Sequence, residues 1–253
     1  REQGVVHMNG VCKLSVGGQS RGARDDARAR KARKSVAAST AATAMVNGFW
    51  IDSSVNPPKQ RPTKCFLPNP DAFKAQRGQD EWVLSTFANN TKRRRRYYVD
   101  LAAQEPACNS NTFALDRRGW DGLCIEPQFE YVEKLRQVRT CKVVEAAIDA
   151  TARNVSFLLA GGYGGLIGHG FDNFRRDPRG KGIAPDAMNV TSRRFIDVLE
   201  EAKAPRVIDY LSLDVEGAES RVLTANVLRR YTFLALTIER PAPRLVFRLF
   251  AHR

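Results

Sequence analysis

From residue 97 onward, short apolar runs alternate with segments whose apolar side chains recur at helical spacing. Residues 97–102, 122–126 and 141–146 read as strands, with helices at 109–118 and 129–139 between them. This β-α-β-α-β order predicts a parallel sheet with right-handed crossovers and helices on both faces. Residues 155–159 predict a fourth, short strand, followed by a glycine-rich loop at 161–170 and an exposed excursion at 171–190. Phe195, Ile196, Val198 and Leu199 mark a helix over 192–203 that Ala204-Pro205 ends. A long apolar strand from Ile208 then runs into Asp214 and Glu216, and a helix at 221–228 leads to a last strand at 233–239. Upstream, Phe73, Trp82, Val83 and Phe87 predict a helix at 80–88 that covers the sheet edge or the ligand pocket.

The pattern fails before residue 71. Residues 1–54 are rich in Arg, Ala, Ser and Thr with few large apolar side chains, which predicts disorder. An organellar transit peptide fits the arginines and serines, but Asp25 and Asp26 count against it. Five prolines in 55–70 deny backbone donors and read as an extended linker, so the folded domain is expected to occupy 71–253. The chain starts at Arg1, which suits a fragment or a processed product. The apolar run at 35–51 is too short and too polar for a confident membrane span.

Of the 253 residues, 43% are hydrophobic and 27% charged, a balance that suits a globular core. A net charge of +14 raises nucleic acid as a partner. Residues 1–60 hold ten basic and four acidic side chains, about +6, so the charge is split along the chain. No aromatic stacking platform is interleaved with the arginines, so nucleic acid is not the expected partner. The basic excursion, with Arg175, Arg176, Arg179 and Lys181, reads first as a solvated loop and second as a grip on an anionic substrate. The five cysteines form no C-x-x-C pair, which argues against a finger-type metal. Cys124 reads as a small buried hydrophobe, and the odd number weighs against a full disulfide framework. Compartment and oligomeric state stay open. Asn89, Asn154 and Asn189 begin N-x-S/T triplets, which matter only for a secreted chain.

Chemistry concentrates where strands end. Asp100, Glu126, Asp214 and Glu239 each close a predicted strand, and a parallel sheet gathers such ends along one edge, where open α/β sheets bind ligands. One such acid is explained by helix capping, whereas four suggest a polar cleft. Glu126, closing the second strand, is placed to accept both hydroxyls of a ribose. The first crossover lacks G-x-G-x-x-G, so a single nucleoside is favoured over a dinucleotide.

Four runs carry a resemblance: Val99-Asp100-Leu101-Ala102-Ala103, Ser110-Asn111-Thr112, Gly119 to Pro127, and Tyr210 to Glu219. Together they resemble the FkbM methyltransferase family over about residues 79–241. The resemblance implies a Rossmann-like class I fold and S-adenosylmethionine-dependent O-methylation of a hydroxyl on a small molecule or sugar. It also implies that Asp100, Leu101, Ala102, Gln104 and Asn111 hold the methionine part of the cofactor. Glu126 takes the ribose, Pro127 also contacts the cofactor, and Ile148 and Asp149 lie near adenine. Asp214, with Glu216, is expected to orient or deprotonate the acceptor hydroxyl, His169 being an alternative base. A raised pKa or a divalent cation would help such a carboxylate, but no metal ligands are assigned. Where the family often has glycines, this chain has Ala102 to Pro106, which narrows the room for a ligand and supports the rival reading of a non-catalytic interaction module. The C-terminal antiparallel strands that complete such a sheet are expected to be missing.

Overall fold

The computed structural model describes residues 43–46, 49–52, 73–88, 94–160, 164–168, 171, 187–239, 244–245 and 249. The linker reading and the excursion's Arg175, Arg176, Arg179 and Lys181, along with His169 and Asn89, lie outside these, as does most of the segment read as a transit peptide. Strands β1 (Thr43–Val46) and β2 (Phe49–Asp52) pair antiparallel inside the segment read as unstructured. The Asn47-Gly48 dipeptide between them is the strongest short hairpin signal a sequence carries.

Helix α1 (Gln79–Phe87) precedes the first core strand, β3 (Tyr97–Leu101). A single turn, α2 (Phe113–Asp116), stands where a ten-residue helix was expected, and β4 (Asp121–Glu126) follows. Helix α3 (Phe129–Val138) then leads to β5 (Lys142–Glu145). The short strands β6 (Ile148–Asp149), β7 (Asn154–Leu158), β8 (Gly165–Leu166), β9 (Ala187–Thr191) and β10 (Arg193–Arg194) come before α4 (Phe195–Glu201). Strand β11 (Val207–Leu213), the turns α5 (Glu219–Val222) and α6 (Ala225–Arg230), and strand β12 (Thr232–Ile238) close the core.

Five strands form one all-parallel sheet in the order β12-β11-β3-β4-β5. The chain winds outward from β3 in one direction, then returns to lay β11 on its other side. That reversal makes the gap between the ends of β3 and β11 the switch point, where two crossovers diverge and leave a crevice. Alternation assigns the faces: Tyr98, Cys124 and Tyr210 pack with Val83, Phe87 and Leu135, whereas Val99, Leu123 and Ile208 pack with Phe195, Val198 and Val227. A Cβ at Gly122 would lie 2.2 Å from the Tyr98 ring, so only glycine lets the buried tyrosine cross its neighbour strand.

Three expectations change. Strand β7 does not join the parallel sheet; it centres an antiparallel β8-β7-β9 sheet, with Val155 and Phe157 turned inward and Asn154 outward. The end of the expected excursion therefore forms β9. Cys124 is not a free thiol but is disulfide-bonded to Cys141, and Cys108 is disulfide-bonded as well. The β4–β5 pairing sets Cys124 beside Val143, which brings the two Cα atoms to 5.9 Å, within bridging range. Beyond β12, Leu245 and Leu249 are buried in the main core, and among the described residues no strand pairs with the outer edge of β12.

Candidate active site

Each strand end contributes its last side chains to one cleft. Leu101, Ala102, Glu126, Pro127, Ile148, Asp214 and Glu216 share an apolar lobe with Ile125, Phe157 and Leu166. A second, larger and polar lobe of about 370 Å³ adds Asp100, Asn111, Ser212, Glu239 and Arg77. Ala102, Gln104, Asp214 and Glu216 border both. The combined shape is elongated across the switch point, apolar on the β4–β5 side and polar on the β11 side.

Glu126 is buried, its Oε2 accepting from Gln104 N at 2.9 Å and its Oε1 from Gln128 N at 3.0 Å. Burial nevertheless outweighs these bonds and pushes its carboxyl up to about 7. Asp100 is also buried and shifted upward by burial, against the pull of the Arg139 charge. Thr112 Oγ1 donates to Asp100 Oδ2 at 2.5 Å, and Arg139 Nη2 donates to Thr112 Oγ1 at 2.7 Å. Asn111 Nδ2 donates to Ser212 Oγ at 3.0 Å, and Ser212 also bonds Asp100. The carboxylate is thus held from both sides.

On the β11 side, Asp214, Glu216 and Glu239 each bring a carboxylate oxygen within 4.8 Å of the others. Burial pushes the Asp214 carboxyl well up, reinforced by Glu239, Glu216 and Glu219. Its Oδ1 is buried without a hydrogen-bond partner. Like charges this close disfavour ionisation of all three at once. Glu239 Oε atoms reach this cluster because Glu239 N donates to Leu213 O at 3.0 Å, extending the β11–β12 ladder by one residue.

The turns that aim these groups are strained. Ala102 (φ 67°), Gln104 (φ 47°) and Glu216 (φ 52°) hold left-handed backbone without being glycine. Such a conformation costs roughly 1–2 kcal/mol for an ordinary side chain. Ala102→Gly is therefore expected to raise stability by about 0.5–1 kcal/mol, measured by urea denaturation. A fall in the midpoint would show that the alanine methyl packs usefully.

Of the residues expected to form the site, all but Asp149 line the cleft. Asp149 is buried and salt-bridged to Arg153 and Arg221. Burial raises its pKa, but the Arg221 hydrogen bond, the Ala150 N–H and Arg153 together bring it below the usual carboxylate range. Phe157 and Leu166 escaped the sequence reading because they arrive from the antiparallel meander and carry no polar signal.

The family model for the methyltransferase FkbM domain matches residues 87–248, more than half of the chain. The chain belongs to the FkbM methyltransferase family. No curated protein and no solved structure matches it. In this FkbM domain the matched region begins at the end of α1 and includes all five parallel strands, so it contains both lobes except for Gln76, Arg77 and Gln79.

Proposed function

We propose that this domain transfers the methyl group of S-adenosylmethionine to a hydroxyl oxygen of a small molecule or sugar. The observation that carries the reading is the placement of Glu126, buried, and Asp214, half-buried, two acids at strand ends on opposite sides of β3, both lining one cleft. The lobes fit the cofactor. The apolar lobe, walled by Ile125, Ile148 and Phe157, suits a flat base, with Glu126 beside it to accept ribose hydroxyls. Asp100, Asn111 and Ser212 in the polar lobe suit an amino-acid moiety. When bound, the cofactor supplies an electrophilic methyl group. The protein's task is then to align an acceptor oxygen and take its proton.

Asp214 is the group for that proton. Its raised pKa makes it a stronger base than an ordinary carboxylate, and its Oδ1 has no hydrogen-bond partner within the protein. Asp214, Glu216 and Glu239 would also be the ligands of a divalent cation, which would orient the acceptor oxygen and lower its pKa.

The test is calorimetric titration of S-adenosylmethionine at pH 8 and pH 6. Ligand hydroxyls need Glu126 as a carboxylate, so affinity is expected to weaken by up to about tenfold per pH unit as pH falls below about 7. Glu126→Gln should bind weakly at both values and lose that dependence. Absence of binding by the folded protein at pH 8 would sink the enzyme reading. It would favour an interaction module, a reading supported by the non-glycine turn Ala102–Gln104 and by Gln104 N already occupying Glu126.

A further inference from the structure

Strands β7 and β9 present a second pattern that methyl transfer does not use. Asn154-Val155-Ser156 lies on β7 and Asn189-Val190-Thr191 on β9, and the antiparallel register sets Asn154 opposite Thr191 and Ser156 opposite Asn189. With side chains alternating along each strand, both asparagines and both hydroxyls share one face, while Val155 packs inward with Phe157. Asn154 and Asn189 are exposed. Thr191 Oγ1 donates to Asn154 Oδ1 at 3.0 Å and Ser156 Oγ donates to Asn189 Oδ1 at 3.1 Å. In both pairs the amide oxygen is engaged, and Nδ2, the atom that would take a sugar, is not the one in the bond.

The cysteines supply an independent observation about compartment. Cys124 and Cys141 are buried and joined across β4 and β5, and Cys108 is also oxidised. Disulfides that persist inside a folded core belong to chains matured in an oxidising lumen, which is where asparagine glycosylation operates.

We propose that this chain matures in the secretory lumen and carries N-linked glycans at Asn154 and Asn189. In the transfer, a bond forms between Asn Nδ2 and the anomeric carbon of a lipid-pyrophosphate-linked oligosaccharide. The anomeric C–O bond to the pyrophosphate breaks, the lipid pyrophosphate leaves, and Nδ2 gives its proton to a base of the transferase. Modification of the unfolded chain precedes strand pairing, so the cross-strand bonds do not block it. The meander's outer face would then be a sugar-covered surface, and the acceptor cleft would open on molecules of the same lumen. The proposal is independent of the methyl-transfer reading. A permanently charged sulfonium cofactor would need a carrier to reach that compartment.

The test is expression of the full-length reading frame in animal cells, so that its own targeting decides the compartment. Peptide-N-glycosidase treatment in heavy-oxygen water, followed by peptide mapping, marks each glycosylated asparagine as labelled aspartate. Label at both Asn154 and Asn189 is expected. Thr191→Ala should remove it from Asn189 while Thr191→Ser keeps it, and Asn154→Gln should remove one electrophoretic step. A folded protein with no sugar at either asparagine overturns the proposal, whatever the state of Asn89.

Discussion

Arg139→Met is expected to lower the unfolding free energy by about 3–5 kcal/mol, the usual cost of stranding one member of a buried ion pair. Arg139 and Asp116 have essentially no exposed side-chain surface, and Arg139 Nε donates to Asp116 Oδ2 at 2.9 Å. Asp116 also accepts from Tyr98 Oη at 3.0 Å, from Thr140 Oγ1 at 2.5 Å and from Thr140 N at 3.0 Å. Burial alone would raise its pKa, but the Thr140 bonds and the Arg139 charge outweigh it and hold Asp116 below the usual carboxylate range. The sign follows: this contribution is present above the unfolded value near 3.8 and is lost as pH falls through the lower folded value. Methionine fills the volume but leaves that carboxylate without its cation. Arg139→Met with Asp116→Asn should therefore cost less than the two single changes summed. Arg139→Lys keeps the charge but cannot span Asp116, Tyr98, Thr112 and Ser110 at once, so it should fall between. Urea denaturation of the four variants decides it, and a loss under about 1 kcal/mol for Arg139→Met would refute the buried-pair account.

This network also explains what the sequence could not disclose. Arg139 follows α3 at a position that reads as the ordinary basic end of a helix. Only the return of the chain beneath β3 brings it against Thr112 and hence Asp100. By contrast, the strand-end acids were legible because a carboxylate closing an apolar run needs a reason at the level of the strand itself. Glu126 and Asp214 therefore sit where their strands put them. The parallel sheet was legible from alternation, whereas its strand order is fixed only by the return of β11 to the far side of β3. The meander was not legible, because β7, β8 and β9 are short and their pairing depends on contacts 7 to 37 residues apart. Glu239 is intermediate: it was visible as a strand-closing acid, but its joining Asp214 requires β12 to lie beside β11. The Cys124–Cys141 bridge likewise depends on strand register, which cysteine spacing does not encode.

Asp214→Asn is expected to reduce methyl transfer by roughly 10²–10⁴-fold, the range for removing a positioned general base. It should do so while leaving the fold at least as stable as before. Asp214 stands among Glu216, Glu239 and Glu219, and burial with their like charge is what raises its pKa. A raised folded value means that its contribution to stability is present below about pH 4, its unfolded range, and declines as pH rises through the folded value. Once ionised, the acid is therefore a burden on the fold, and an amide of the same shape removes one of the crowded charges. A purely structural role predicts the opposite, a loss of stability together with a loss of activity. The two are separated by measuring both: urea denaturation at pH 8, and incorporation of labelled methyl from S-adenosylmethionine into a panel of sugar and small alcohol acceptors. The wild-type rate should fall as pH drops through the raised Asp214 value, because the base becomes protonated, and the residual rate of Asp214→Asn should lack that limb. Full activity in a folded Asp214→Asn protein would move the proton-accepting role elsewhere in the acidic cluster, with Glu239 the next group to test because it hydrogen-bonds Asp214 directly.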